Sequence, residues 1–307
     1  MRSYIKKNFV YILPFLIICI LLEILLRNIP NDYKLKREYL DNNSRRIEKL
    51  FLGGSHTYYG INPEFISGNA FNASYVSQSI DINYKILKKY EGKWDSLKVI
   101  VMSVEYPSLF ERLSSSIESW RIKNYNLYFG LQLNRKPAYY SELLTVSFKA
   151  NIKRIYSYYI LKHSYITCTD LGFGYFNIQK DLNTSGEEAA RRHTIKDRSK
   201  YYEASIGILQ SIINFAKKRN IMVIYYTAPA YNSYTSNLDK DQLELMLTTL
   251  KDLARKNKNC YYHNFLNDRS FDSTDFENGD HLNRKGAKLL SIKMDSLIIK
   301  ILSQQKQ

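Results

Sequence analysis

Cysteine is scarce: three in 307 residues, at positions 19, 168 and 260, with no C-x-x-C pair. That argues against a disulfide framework, a cysteine-rich zinc module and a thioredoxin-like redox site. A Cys168–Cys260 bridge would need an oxidising compartment, and two buried thiols are the simpler expectation. Zinc-finger spacing is absent, and so is any basic stripe interleaved with aromatics. The formal net charge of +16 therefore gives no nucleic-acid reading. The basic residues fall in scattered pairs, Arg45-Arg46, Lys88-Lys89 and Lys217-Lys218, mostly within helical patterns, as solvated faces do. There is no internal repeat and no long low-complexity segment. A second apolar run of membrane-spanning length is missing. So is the nucleophile elbow G-x-S-x-G, which argues against an α/β-hydrolase proper.

The one long apolar run lies at the N-terminus. Arg2, Lys6 and Lys7 make the tip basic, and Asn8 to Leu26 is apolar except for breaks such as Pro14 and Glu23. A helix of that length, at about 1.5 Å per residue, nearly spans a bilayer's hydrocarbon core. With no Ala-x-Ala cleavage site, it reads as an uncleaved signal anchor. The basic tip favours a cytoplasmic N-terminus, and Arg27, Lys34, Lys36 and Arg37 weaken that preference. The expectation is a single-pass protein of the cell membrane. Residues 1–27 would be the tip and transmembrane helix and 28–46 a short polar linker. Residues 47–307 would form one extracytoplasmic (periplasmic) domain.

Within that domain short apolar strands are expected at 48–52, 70–73, 97–104, 221–227 and 260–263. Helices are expected at 79–90, 204–216, 241–254 and 284–302. Asp81 is a capping candidate for the first of these. Ile80, Tyr84 and Leu87 would face the core there, as would Ile206, Leu209, Ile213 and Ala216, and Leu243, Leu247, Leu250 and Ala254. Residues 108–198 are irregular and rich in tyrosine, and read as an insertion with helices. Strands alternating with helices predict an α/β fold with a parallel sheet covered on both faces. In such sheets ligands bind at the carboxyl ends of strands.

Ser55 follows the first strand directly, in L-F-L-G-G-S-H-T-Y-Y-G. A serine hydroxyl needs a histidine base and a group that orients the base. Among five histidines, His281 is the candidate. It lies in F-E-N-G-D-H-L-N-R-K-G-A, a turn-rich stretch before the last helix, with Glu277 and Asp280 beside it. The alternative reading of this stretch is a surface loop in which Asn283 caps that helix. His56, adjacent to Ser55, reads as a packing residue, because neighbouring side chains leaving a turn usually point apart.

L-F-L-G-G-S-H-T-Y-Y-G-I-N-P followed by G-D-H-L-N-R-K-G-A resembles the SGNH/GDSL hydrolase superfamily. More narrowly, it is similar to the membrane-anchored SGNH-like proteins of bacterial cell-surface polysaccharide pathways. The resemblance runs from about Leu50 to the final helix. Its weaker parts are F-N-A-S-Y-V-S-Q-S at 71–79, V-I-V-M-S-V-E-Y-P-S at 99–108, A-A-R-R-H at 189–193 and T-A-P-A-Y-N-S-Y at 227–234. It implies a flavodoxin-like three-layer α/β/α sandwich, with Ser55 as nucleophile and His281 as base. The superfamily usually has Asp three residues before the histidine. That position is Asn278 here, which leaves Asn278 and Asp280 as candidate acids. The family's oxyanion hole uses the nucleophile's own N–H, a glycine in the second block and an asparagine in the third. Here Ser77 and Gln78 occupy the second block, while Glu105 and Tyr106 stand where G-x-N-D would be. Backbone N–H groups at Ser55, Ser77 and Gln78 remain as donors. Arg192 and His193 are candidates for contacting an anionic substrate, or are simply a solvated helix turn.

The implied function is an anchored serine esterase or deacetylase acting on acylated cell-surface glycans. Two alternatives stand beside it. One is a polysaccharide O-acyltransferase with the same triad, fed by a multi-pass acyltransferase partner. The other is a non-catalytic SGNH-like binding or assembly protein. No cofactor, metal or nucleic-acid partner is implied.

Overall fold

The computed structural model describes residues 2–175 and 180–304, with side chains from Ile12 onward. In chain order the elements are α1 (Arg2–Asn28), α2 (Asp32–Asn43), β1 (Lys49–Leu52), α3 (Ser55–Gly60), β2 (Ala70–Asn72), α4 (Ile80–Lys89) and β3 (Val99–Ser103). Next come α5 (Ile122–Asn124), α6 (Glu142–Thr145), α7 (Phe148–Tyr159), α8 (Leu182–His193), α9 (Ser199–Lys217), β4 (Met222–Thr227) and α10 (Asn232–Thr235). The chain closes with α11 (Lys240–Lys256), β5 (Cys260–Asn264), β6 (Phe276–Asn278), β7 (His281–Leu282) and α12 (Arg284–Gln304).

Two compact units result. Residues 38–118 and 168–307 form the larger. Its five-stranded sheet has the order β2-β1-β3-β4-β5, parallel throughout, with Leu50 opposite Phe71 and Ile100, and Val101 opposite Ile224. This is the flavodoxin-like order, whose switch point lies between β1 and β3. Each of β1 to β4 is buried along its whole length, as a sheet covered on both faces requires. On one face, Leu290, Met294, Ile298 and Ile301 of α12 pack against Phe51, Val101 and Ile224. Toward the other, Leu209, Ile213 and Ala216 of α9 are buried, and α4 packs on α9. Adjacent tyrosines of β4 divide between the two faces: Tyr225 donates to the Leu209 carbonyl at 2.8 Å, while Tyr226 meets Thr57 Oγ1 at 2.9 Å.

The helix faces differ in part from expectation. α4 buries Ile80, Ile82, Asn83, Ile86 and Leu87 rather than Tyr84. Its N-cap is Ser79, whose hydroxyl donates to Asp81. α11 buries Gln242, Met246, Leu250 and Leu253, a face turned from the expected one because Gln242 is a polar anchor. Gln242 accepts from the Ile195 N–H and donates to the carbonyls of Tyr106 and His193. Among the described residues no disulfide forms, and Cys168 and Cys260 are both buried.

Residues 1–37 and 119–167 form the second unit. The segment expected as an insertion, 108–198, is therefore divided, since 168–198 belongs with the sheet. The stretch expected as a polar linker, 28–46, is mostly helical and buries Asp32, Tyr33, Lys36 and Leu40. Among the described residues no single helix is long and apolar enough to cross a membrane. Ile12–Asn28 and Asp32–Arg46 pass together as a pair bent by 64°.

Candidate active site

β1 ends in Leu52, and the chain turns through Gly53 and Gly54 straight into α3, so Ser55 stands at the carboxyl end of the sheet. Gly53 has φ +137°, and a Cβ there would lie 2.4 Å from both Ser103 Oγ and Thr57 Oγ1. No side chain fits that turn. Its N–H is held by Asn83 Oδ1 at 2.8 Å. The glycine lets β1 pass hard against β3 before delivering the serine.

His281 reaches Ser55 from the hairpin of β6 and β7, which precedes α12. Its Nε2 lies 2.8 Å from Ser55 Oγ, across 226 residues of sequence. Its Nδ1 lies 3.2 Å from Asp280 Oδ1 and 3.2 Å from Asn278 Oδ1. The two candidate acids are thus equidistant from the base, but they differ in what else they do. Asn278 Oδ1 also accepts the backbone N–H groups of Asp280 and His281, at 3.1 and 2.9 Å. It is the brace of the loop. Burial pushes the Asp280 carboxyl up, but the adjacent His281, with His56 and His193, outweighs this and holds it well below the usual carboxylate range. Asp280 is therefore the group that carries negative charge to the imidazole.

The two other imidazoles here are neutral at physiological pH. His56 is buried, with its ring 4.7 Å from that of His281, and desolvation with repulsion from His281 lowers its pKa to about 3. Burial lowers His193 to about 4, and its Nδ1 lies 2.9 Å from Tyr234 OH. Ligand-type atoms of His56, Asp280 and His281 lie within 4.8 Å of one another. A cation there would have to draw His281 away from either Asp280 or Ser55.

A cleft of about 380 Å³ opens over the serine. Its wall includes Ser55, Ser77, Gln78, Glu105, Arg192, His193, Asn278, Asp280 and His281, whereas Glu277 and Tyr106 do not line it. Their parts are unequal. Ser77 sits in a turn closed by the Gln78 N–H on the Tyr75 carbonyl, with φ +57°, a left-handed position that glycine usually fills. The Gln78 side-chain amide donates both ways into the protein, to the Ala73 carbonyl and to Asn83 Oδ1, and so supports the Gly53 turn rather than facing an oxyanion. Arg192 is exposed at the rim.

Glu105 is the residue whose part the sequence did not reveal. It follows β3, on the strand next to the one that delivers Ser55. It is buried, and among the described residues no cation pairs with it. Its carboxyl accepts from the Ala228 N–H, at 3.4 Å from each oxygen. Desolvation, with Asp280 adding repulsion, raises its pKa to about 8. At neutral pH it is a carboxylic acid with an O–H to donate.

No family model matches the chain, and no curated protein does. Solved structures do. A Bacteroides fragilis protein named for acylhydrolase activity superposes with TM-score 0.42 and 12% identity, over 86% of this chain and 96% of its own. A GDSL-like lipase from Bacteroides thetaiotaomicron gives 0.41 and 12%, over 89% and 99%. A family two carbohydrate esterase from Clostridium thermocellum, in complex with cellohexaose, gives 0.39 and 11%, over 84% and 65%. Likeness at this level carries no information about activity.

Proposed function

We propose that this chain is a serine ester hydrolase of the SGNH/GDSL type, tethered to the cell membrane by α1 and acting outside the cytoplasm on O-acylated cell-surface glycans. The observation that supports the chemistry is the contact between Ser55 Oγ and His281 Nε2, with Asp280 at the other ring nitrogen. As Ser55 Oγ attacks the ester carbonyl, its proton passes to His281 Nε2, and Asp280 stabilises the imidazolium that forms. The carbonyl oxygen gains negative charge where the Ser55 N–H and the neutral Glu105 carboxyl can donate to it. A protonated acid in an apolar site is a known type of oxyanion donor. The ester C–O bond breaks, and His281 returns the proton to the departing sugar oxygen. Water, deprotonated by His281, then attacks the acyl-serine, releasing the carboxylic acid and freeing Ser55.

A sugar suits the cleft because its wall mixes apolar surface with hydrogen-bonding side chains, among them Ser79, Ser108, Glu111, Arg112 and Lys180 beside Tyr59. The test is labelling of the full-length protein by a fluorophosphonate probe beside Ser55→Ala, followed by acetate release from O-acetylated polysaccharide. Labelling confined to the wild type, with release of acetate, is expected. Labelling that survives Ser55→Ala, or none in folded wild type, overturns the chemistry. Labelling with acyl transfer only to an added sugar would make the protein a transferase.

A further inference from the structure

Away from the cleft, the smaller unit displays an apolar row that the chemistry does not use. Phe148, Ile152, Tyr156 and Ile160 recur at intervals of four along α7 and its C-cap, and Leu144 precedes them on α6, across an extended break at Val146 and Ser147. On a helix such spacing makes one ridge. These five side chains are 40 to 67% exposed. The opposite side of α7 is fixed in place: Asn151 donates to the carbonyls of Glu142 and Val146, and Arg154 pairs with the buried Glu142 carboxylate, which also binds Lys123. The ridge is thus a built face, not a loosely packed helix that has turned its apolar side outward.

Two further observations say what covers it. First, α6 and α7 are tied to the last turns of α1. Glu23 accepts from the N–H groups of Glu142 and Leu143 and from the Ser141 hydroxyl, at 2.9 to 3.1 Å. Arg27 donates to the Tyr140 carbonyl, and Tyr159 OH to the Leu25 carbonyl at 3.0 Å. Ten of the eleven large apolar side chains of α1 between Ile12 and Leu25 are 37 to 66% exposed, so the ridge begins where an equally uncovered apolar helix ends. Second, Lys149 and Lys153 stand exposed, each one position after a ridge residue, and Phe148–Tyr159 contains no acidic side chain. An apolar ridge with a basic edge matches the layered polarity of an anionic lipid surface, where amphipathic helices sink about 5–10 Å.

We propose that α7 rests on an anionic bilayer surface beside the point where α1 emerges, so that the protein is held by a span and by an interfacial helix together. This rests on the reading of α1 as the anchor. Interfacial tyrosines are expected in such a position, and Tyr156 lies in the ridge.

The test uses full-length protein in vesicles of phosphatidylcholine with a quarter phosphatidylglycerol. In a Cys19→Ser background, an environment-sensitive fluorophore is attached through Ile152→Cys, Ile17→Cys or Lys240→Cys. Native Cys168 and Cys260 are buried and stay unlabelled. The label at 152 should shift to the blue and lose about half its emission to lipids spin-labelled near the headgroup, as an interfacial depth requires. The label at 17 should respond most to lipids labelled deep in the chain, and the label at 240 to neither. An aqueous label at 152 with a quenched label at 17 overturns the interfacial helix and leaves the anchor standing. Aqueous labels at both positions overturn the anchor, and the proposal with it. Stronger quenching at 152 by the deep label would make α7 an embedded helix and also overturn it.

Discussion

Replacing Glu105 with glutamine removes an ionisable proton from the cleft while keeping the shape of the side chain. In the fold the carboxyl titrates at about 8 instead of 4.5, because burial and Asp280 disfavour its charge. A rise of that size corresponds to roughly 5 kcal/mol between the two protonation states. The direction follows from proton counting. Between pH 4.5 and 8 the unfolded chain has lost this proton and the folded chain has kept it, so stability falls as pH rises. The glutamine variant carries no such dependence. Wild type and Glu105→Gln should therefore melt together below about pH 5 and diverge steadily up to pH 8. The variant should end ahead by about 10 °C for a unit of this size. Thermal melts across that range, run in a single ionic strength, measure the gap. Every other titrating group, including Asp280, is common to both proteins and cancels. Parallel curves from pH 5 to 9 would show that Glu105 is ionised in the fold, and it could then not donate to an oxyanion. The same pair bears on activity: wild-type ester cleavage should fall above pH 8 and that of Glu105→Gln should not.

Asp280→Asn should lower kcat by roughly a thousandfold or more with little change in KM, because the imidazolium loses its counter-charge. Asn278→Ala should lower stability by about 1–3 kcal/mol, since two backbone N–H groups lose their acceptor, and should cost less in rate. Reversed sizes in steady-state kinetics would exchange the two assignments. Gly53→Ala should destabilise by about 2 kcal/mol or more in urea unfolding, given its φ and the contacts a methyl would make. Ser77→Gly should stabilise by about 1 kcal/mol by relieving the left-handed backbone, and an unchanged midpoint would mean that the turn holds no strain.

The strands were legible because their residues are apolar on both sides: V-I-V-M-S and M-V-I-Y-Y-T admit little but a buried parallel sheet. Ser55 and His281 were legible for a different reason, since a hydroxyl after two glycines and a histidine in a turn before a final helix are local patterns. The rest depends on partners far along the chain. Nothing near Gln242 announces that it will hold the Ile195 N–H, so the buried face of α11 was misplaced. Asn278 and Asp280 could not be told apart from spacing, because their difference lies in which backbone groups each oxygen meets. The protonation of Glu105 is set by its burial, with Asp280 adding repulsion, and no window of sequence displays either. Asn283 does accept the N–H groups of Lys285 and Gly286 at the start of α12, so the capping residue and the loop that brings His281 to Ser55 coexist in one stretch.

The loop that carries His281 touches α8 through two glycines. A Cβ on Gly279 would lie 2.2 Å from Gly186 Cα, and one on Gly186 would lie 2.0 Å from Ser233 Oγ. Ser185 Oγ accepts the Gly279 N–H at 2.9 Å, and the Gly279 carbonyl accepts the Tyr231 N–H at 2.9 Å. The loop of His281 and the helix that bears Arg192 and His193 are therefore in close backbone contact, tied by the Ser185 hydroxyl. A methyl on Gly279 would press on the backbone of Gly186 and Leu182, so either the loop or α8 would have to give. The same helix is thus open on the side that carries Arg192 and closed, down to a glycine, on the side that meets the loop.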